Sequence, residues 1–173
     1  LFPEEIEHAT HISMVPTQLY RHLQSAVSFP HLKCLLIGGA PLSESLREEA
    51  LEKGLPIYTS YGMTETASMA VMKKGNEPTK TLRHIELKLD DDGEILMRGP
   101  SVMKRYFGKG PIAEWFRSCD LGEIDNQGEL KVIGRRDRQF ISGGENIQPE
   151  EIESALLKLP YIIQAKVSST YDE

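Results

Sequence analysis

The sequence predicts an α/β fold that continues into an antiparallel β region and ends in a short α+β segment. Three observations predict it. Residues 32–61 have the pattern of a strand, a helix and a second strand, the building unit of a parallel sheet. Residues 84–134 alternate around the turn sequences "DDDG" and "DNQG", which is typical of hairpins and indicates a small antiparallel β-barrel. Residues 139–160 combine a strand and loop, "QFISGG", with a helix that has Pro149 near its start.

The first 62 residues justify the parallel part of this fold. Residues 1–26 are predicted to be helical, because Leu19, Leu23 and Val27 share one apolar face. The apolar run at 35–37 is typical of a buried strand, which the glycines at 38–39 interrupt. A helix is expected to begin after Ser43 and to end at Gly54. The segment "LPIYTSYG" predicts the second strand, and "IIQAKVSS" near the other end of the chain predicts a last one.

Composition excludes several functional classes. The 173 residues are 39% apolar and 27% charged, which suits one ordinary domain or slightly more. A net charge of −6 argues against a general nucleic-acid or anionic-membrane surface. There is no apolar run of roughly 18 residues and no signal peptide, so no membrane span is predicted. Cys34 and Cys119 match no metal or redox spacing, which favours a reducing cytoplasm. The absence of an initiator Met indicates a piece of a longer protein.

Glycines and hydroxyl side chains cluster where two predicted strands end, and ligands bind at such ends in open parallel sheets. "GGAPLS" at 38–43 allows a ligand close to the backbone, although a tight strand-to-helix turn explains it equally well. In "YGMTE", Tyr61 is able to stack on a ring, Thr64 to donate to a phosphoryl oxygen and Glu65 to hold a divalent cation. Taken alone, the pentapeptide is better explained as a surface loop with a capping threonine.

Two further stretches carry charged candidates. Asp120 could accept from a ribose diol, but an ordinary turn acid is an equal alternative. The charged break at 135–138 suits a linker about which the chain pivots, although a solvated charge run is the commoner explanation. Histidines at 8, 11 and 22 lack a Cys or carboxylate pattern, so a metal site there is not favoured. A Ser–His–Asp hydrolase arrangement is not visible either.

The order of these motifs is more specific than any one of them. "GGAPLS", "YGMTET", "GEILMRGPSVMKRYFG", "WFRSCD" and "GRRDRQFISGGENIQPEEIE" resemble, in sequence order, the core motifs of the adenylate-forming acyl-CoA synthetase superfamily. The resemblance covers nearly the whole chain. Within the superfamily, "SGGENIQPEEIE" resembles the o-succinylbenzoate–CoA ligases of menaquinone biosynthesis.

The resemblance implies an activity and a domain organisation. Such enzymes join a carboxylate to ATP, which gives an acyl-adenylate and pyrophosphate, and then transfer the acyl group to the thiol of CoA. Residues 1–136 would be the C-terminal portion of the large adenylating domain, with an α/β part at 1–76 and a β part at 77–136. Residues 137–173 would be the hinge and the start of the small C-terminal domain. The implied partners are a small carboxylic acid, ATP, Mg²⁺ and CoA, with no nucleic acid; the oligomeric state is not predicted.

The resemblance also implies roles for residues at matching positions. Gly38, Gly39 and Ala40 would line the adenine and acyl pocket, Tyr61 would flank the adenine, and Gly62 would belong to the same nucleotide-binding set. Thr64 would contact the α-phosphate and Glu65 would bind Mg²⁺, so these two are the predicted catalytic residues. Asp120 and Arg135 would hold the ribose hydroxyls, Asp137 would be the hinge, and Gly144 would border the pantetheine tunnel.

The chain departs from the family pattern in three places. The family's Gly-rich phosphate loop and its C-terminal lysine are expected outside residues 1–173, so we expect the isolated chain not to complete the reaction. Ser118 and Cys119 stand where the motif commonly has Thr and Gly, while Asp120 is kept. The segment from Met72 to His84 is interpreted as a short loop.

Two alternatives to an o-succinylbenzoate ligase remain at this point. One is a fatty-acid or aryl-acid CoA ligase, or a carrier-protein adenylation domain, of the same superfamily. The other is a non-catalytic nucleotide-binding or interaction module. The retained set of Glu65, Asp120 and Arg135 argues against the second, because a decayed site has no physical need of it.

Overall fold

A computed structural model describes residues 8–159, 161–162 and 165–170 of the chain. The described residues fall into two units. The first contains residues 8–64 and 68–82, and the second contains residues 65–67 and those from 83 onwards. Within the described part of the chain, no helix is long and apolar enough to cross a membrane.

The first unit is a five-stranded sheet with two helices. Its strands follow the order β1-β2-β3-β4-β5, and β1, β2 and β3 are parallel while β4 and β5 are antiparallel to their neighbours. The elements are β1 (His11–Met14), α1 (Pro16–Leu23), β2 (Cys34–Ile37), α2 (Glu44–Glu52), β3 (Ile57–Met63), β4 (Ser68–Lys74) and β5 (Lys80–Thr81). Their core is built from Met14, Leu19, Leu23, Phe29, Leu35, Ile37, Ala50 and Ile57. The strand–helix–strand unit predicted at 32–61 is therefore confirmed.

Local signals explain the boundaries of α2. The Ser43 hydroxyl accepts a hydrogen bond from the Leu46 amide at 3.4 Å, which satisfies one of the free N–H groups at the helix start. Gly54 follows the helix with φ +74°, a conformation that glycine adopts without steric cost. The predicted start and end of this helix are confirmed.

The helix predicted over residues 1–26 is wrong in part. Among the described residues, His11–Met14 is a strand that pairs in parallel with β2, and the helix begins only at Pro16. Strand pairing to β2 overrides the local helical pattern at this edge of the sheet. The helix ends at Leu23, so Val27 lies outside it and is 40% exposed. Residues 1–7 lie outside the described residues.

The segment interpreted as a loop between Met72 and His84 is also different. Strand β4 runs to Lys74 and β5 occupies Lys80–Thr81, so a turn of only five residues separates them. Strand β4 pairs antiparallel with β3 from Tyr58↔Lys74 to Met63↔Ser68. The sequence does not predict β4 because both of its faces carry a mixture of apolar and polar side chains, so the alternation typical of a half-buried strand is lacking.

The second unit is built on an antiparallel sheet of order β6-β7-β8-β9. Its strands are β6 (Glu86–Leu89), β7 (Glu94–Arg98), β8 (Phe116–Ile124) and β9 (Leu130–Arg135). Both predicted hairpin turns are present. Asp90 Oδ1 accepts from the Asp92 and Glu94 amides, and Asp125 Oδ1 does the same for Gln127 and Glu129. No ladder joins β6 to β9 among the described strands, so the sheet is a half-barrel rather than a closed barrel.

A hairpin and a helix follow this sheet. Strands β10 (Phe140–Ser142) and β11 (Glu145–Ile147) are joined by Gly143 and Gly144, both with positive φ, so the predicted loop is a two-residue hairpin turn. Helix α3 (Pro149–Leu156) confirms the helix predicted there. The strand predicted at 162–169 is not present over the described residues 165–170, and residues 163–164 lie outside them. The predicted domain boundary at residue 137 stays a prediction.

Candidate active site

A cavity lies at the carboxyl ends of the three parallel strands of the first unit. Its volume is about 480 Å³, and it is lined by Ser13, Met14, Val15, Gln18, Leu36, Gly38, Gly39, Ser60, Gly62, Met63, Ser68 and Met69. A β-carbon on Gly38 would lie 2.9 Å from Ser60 Oγ, and Gly39 has φ +80°. The positive φ favours glycine at position 39, and a β-carbon at position 38 would require the Ser60 hydroxyl to turn away, so the lack of side chains at both positions leaves the cavity open.

The predicted residues on β3 surround the end of that strand. Tyr61 is half-buried opposite Val71 on β4, next to an irregularity in the ladder between Tyr61 and Gly62. Gly62 lines the cavity, and a β-carbon there would lie 1.8 Å from the Ser68 carbonyl oxygen. Thr64 is exposed and begins a short 3₁₀ turn, Thr64–Thr66. The structure thus gathers Gly38, Gly39 and Gly62 around one cavity, while Ala40 is exposed directly after Gly39.

Glu65 belongs to the second unit, where Tyr106 holds it. The Tyr106 hydroxyl donates to Glu65 Oε1 at 2.9 Å, and the Met103 amide donates to the Glu65 carbonyl at 2.7 Å. The bond to the carboxylate raises the pKa of Tyr106 above its ordinary value. Tyr106 was not among the predicted site residues, because it lies 41 positions from Glu65 in the sequence.

The role of Glu65 as a Mg²⁺ ligand stays a prediction, and the structure shows which groups lie near enough to take part in it. Among the described residues, no group of three or more His, Cys, Asp and Glu side chains is placed to hold a metal ion. Mg²⁺ is commonly bound by one or two carboxylates together with water and the phosphates of a substrate. A single half-buried carboxylate fits that pattern.

Asp120 and Arg135 lie opposite each other on β8 and β9. Arg135 Nη1 donates to Asp120 Oδ1 at 3.4 Å, and its Nε and Nη2 form a bidentate pair with Asp137 at 3.0 and 2.7 Å. The hydrogen bonds to Asp137, together with the charges of Asp120 and Asp137, raise the pKa of Arg135 above its ordinary value. The same bonds lower the pKa of Asp137. The predicted ribose-binding residues Asp120 and Arg135 and the predicted hinge residue Asp137 therefore form one charged cluster.

A bulge in β8 presents Asp120. Glu94 pairs with Leu121 and Leu96 with Arg117, so β8 has two more residues than β7 in this interval. Cys119 has φ +61° within the bulge, and the Asp120 amide donates to Ser118 Oγ at 3.0 Å. Cysteine thus occupies a left-handed position that favours glycine, the residue that commonly stands there in the motif. The Asp120 side chain is 11% exposed.

Glu94 is a second residue that the sequence motifs did not single out. Its side chain is 3% exposed, and it accepts from the Cys119 amide and from the guanidinium groups of Arg117 and Arg136. Burial alone raises the pKa of Glu94, but these three bonds outweigh burial and hold it below the ordinary value. In the sequence, Glu94 stands between the turn "DDDG" and the apolar run at 95–97, and only the structure shows that it is buried with that run.

The predicted hinge lies in a short 3₁₀ turn, Arg136–Arg138, where Asp137 is exposed. Beyond it, Arg138 pairs with Glu150 and Glu153 of α3. Gly144 is exposed at the tip of the β10–β11 hairpin, and a β-carbon added there would meet no atom within 4 Å. Arg135 therefore ties the end of β9 to Asp137, and Arg138 ties the 3₁₀ turn to α3.

Residues 3–107 match the sequence model of a family described as AMP-binding enzyme. The chain belongs to the AMP-binding enzyme family. It is 41% identical to the 2-succinylbenzoate–CoA ligase of Bacillus subtilis (strain 168), over 95% of this chain and 38% of that protein. The same ligase of Bacillus pumilus (strain SAFR-032) is 37% identical, over 98% of this chain and 40% of that protein. The chain thus spans about two fifths of the length of these relatives.

Solved structures of AMP-binding enzymes agree with this assignment. The o-succinylbenzoate CoA synthetase of Bacillus subtilis in complex with its acyl-adenylate intermediate has a TM-score of 0.85 and 38% identity, over 95% of this chain and 39% of that one. The same synthetase in complex with ATP and magnesium ion has a TM-score of 0.84, with 38% identity over 95% and 40% of the two chains. An anthranilate CoA ligase, 22% identical with a TM-score of 0.79 over 92% of this chain and 36% of that one, shares the fold. The predicted family and fold class are confirmed, and the roles of individual residues stay predictions.

Proposed function

We propose that the protein is an acid–thiol ligase that activates o-succinylbenzoate with ATP and transfers the acyl group to CoA, in menaquinone biosynthesis. The choice of substrate is supported by 34–41% identity to 2-succinylbenzoate–CoA ligases over nearly the whole chain. The chemistry is supported above all by one observation, the Asp120–Arg135 pair that the β8 bulge presents. We assign the protein to the cytoplasm, in keeping with its two unpaired cysteines.

In the first half-reaction, a carboxylate oxygen of the acid attacks the α-phosphorus of ATP. A new P–O bond forms, the bond to the β-phosphate oxygen breaks, and pyrophosphate leaves. Negative charge builds on the α-phosphoryl oxygens, so the Thr64 hydroxyl would donate a hydrogen bond there. Glu65 would hold Mg²⁺, and the bound ion supplies positive charge that neutralises the phosphate oxygens. The Tyr106 hydroxyl orients the Glu65 carboxylate for that task.

The predicted binding residues suit the separate parts of a nucleotide. The Asp120 carboxylate accepts hydrogen bonds, and the Arg135 guanidinium donates them, so together they suit the hydroxyls of a ribose. Tyr61 offers a flat ring for the adenine. The glycines at 38, 39 and 62, followed or flanked by short side chains such as Ala40, leave room for the adenine and the acyl group beside the backbone.

In the second half-reaction, the CoA sulfur attacks the acyl carbon of the adenylate. A C–S bond forms, the C–O bond to AMP breaks, and the thiol proton passes to solvent. Asp137 would be the hinge about which the following segment rotates between the two half-reactions, and Gly144 would border the path of the pantetheine arm. The bidentate Arg135–Asp137 pair is then one contact that rotation has to rearrange.

Pyrophosphate release by the full-length protein tests the substrate. Turnover is expected with o-succinylbenzoate in preference to fatty and aryl acids, and a lack of turnover with o-succinylbenzoate contradicts the proposal.

Glu65→Gln is expected to slow adenylation at least about 100-fold, because it removes the proposed metal ligand. Thioester formation from preformed adenylate is expected to fall much less. Tyr106→Phe keeps the Glu65 carboxylate and removes only the hydrogen bond that orients it, so it is expected to slow adenylation less than Glu65→Gln does. Equal loss in both half-reactions would refute the role of Glu65.

A further inference from the structure

Glu94 is buried at a position where removing its carboxylate from water costs free energy. It begins β7, and the three residues that follow it, Ile95, Leu96 and Met97, are buried apolar side chains. Removing a carboxylate from water costs several kcal/mol even when it is paired, and an apolar residue of similar size often stabilises such a site better. The core of the sheet therefore does not require a charged group here.

The two carboxylate oxygens of Glu94 bind on either side of the Asp120–Arg135 pair. Oε1 accepts from the Cys119 amide at 3.0 Å, which fixes the bulge one residue before Asp120. Oε2 accepts from Arg136 Nη1 at 3.0 Å, which ties down the side chain of the residue after Arg135. One carboxylate thus binds the backbone beside Asp120 and the side chain beside Arg135.

Two arginines complete this arrangement. Arg117 joins Glu94 to Asp90, and Arg136 joins Glu94 to Asp92, so the β6–β7 turn is tied to the same carboxylate. Both arginines are partly exposed, at 54% and 41%, while the Glu94 side chain is 3% exposed. Glu94 is therefore the buried centre of this hydrogen-bond network, and the two arginines lie at its exposed edge, where substitution is better tolerated.

We propose that Glu94 is a positioning residue for the nucleotide, which sets the separation of Asp120 and Arg135 by fixing the bulge on β8 and the end of β9. The inference rests on the proposed function, because it takes the Asp120–Arg135 pair as the ribose site. Glu94 itself does not touch the nucleotide. Its loss misplaces the two residues that do.

The test compares ATP with 2′,3′-dideoxy-ATP, which lacks both ribose hydroxyls, in equilibrium binding to the full-length protein. Glu94→Gln keeps the size of the side chain and removes its charge. The variant is expected to bind ATP about tenfold more weakly, the effect of losing roughly one well-placed hydrogen bond, and to bind the dideoxy nucleotide as the wild type does. Combining Glu94→Gln with Asp120→Asn is expected to add little to the loss caused by Asp120→Asn alone.

The control is Glu86→Gln, which removes a carboxylate that pairs with Arg98 on the same sheet, away from the bulge. It is expected to bind both nucleotides normally. Arg136→Gln removes one bond to Glu94 from the exposed rim, so it provides the same test with less risk to folding. It is expected to show a smaller loss that is also confined to ATP.

The outcomes separate the inference from the function on which it rests. If the wild type does not distinguish ATP from the dideoxy nucleotide, the ribose assignment fails and the inference fails with it. If the wild type distinguishes them and the Glu94 and Arg136 variants do so equally well, only the inference is overturned. Equal weakening of both nucleotides by these variants also overturns it, because that result indicates general loosening of the sheet.

Discussion

Replacing Cys119 by glycine is expected to stabilise the protein. Cys119 has φ +61° in the β8 bulge, and its side chain is exposed, so few packing contacts are lost when it is removed. An L-residue in the left-handed region costs about 1–2 kcal/mol. Glycine also makes the unfolded chain more flexible, which offsets about 0.4–1 kcal/mol of this gain. The free energy of unfolding should therefore rise by about 0.8 kcal/mol for Cys119→Gly, which is the difference between the mid-values of these two effects.

Urea unfolding followed by the fluorescence of Trp115 measures this change. Trp115 is the only tryptophan of the chain, it directly precedes β8, and Lys88 and Arg98 lie over its ring at 4.3 and 4.6 Å. With a urea dependence of about 2 kcal/mol/M, the midpoint should rise by about 0.4 M.

The matched control is Cys119→Ala, which removes the thiol but keeps the β-carbon and therefore the strain. Its midpoint is expected to stay close to that of the wild type. If glycine at this position is no more stable than alanine, the left-handed backbone is not strained and the reasoning is wrong.

Two further predictions concern the first unit. Gly62→Ala should destabilise it by at least about 2 kcal/mol, because the new β-carbon would lie 1.8 Å from the Ser68 carbonyl oxygen. Circular dichroism in urea measures this change. Gly110→Ala is the neutral control, because a β-carbon there would meet no atom within 4 Å. Burial, assisted by the charge of Lys53, lowers the pKa of His22 below its ordinary value of 6.5. The unfolded chain then binds the proton more tightly, so stability should be complete above about pH 6.5 and fall as the pH drops below it. His22→Gln should flatten this part of the stability–pH curve, and an unchanged slope would contradict the assignment to His22.

The hairpins and caps could be predicted because their causes are local. Asp90 and Asp125 bond to backbone amides two and four residues ahead, and Ser43 caps the helix that begins at the next residue. Such contacts depend on residue types at short, fixed spacings, which the sequence displays directly. The glycines at 38 and 39 directly follow an apolar strand, where ligands bind in open parallel sheets, and the structure places both at a cavity.

The sequence alone determined the family, the parallel strand–helix–strand unit and the two hairpin turns of the second unit. Only the tertiary structure decided that His11–Met14 pairs as a strand, that Arg135 joins Asp120 to Asp137, and that Glu94 holds the bulge before Asp120. Glu94 lies 25 residues from Cys119 and 42 from Arg136, so no local pattern of residue types displays these contacts. They arise from the register in which β7, β8 and β9 pair, and that register is set by the packing of the whole sheet.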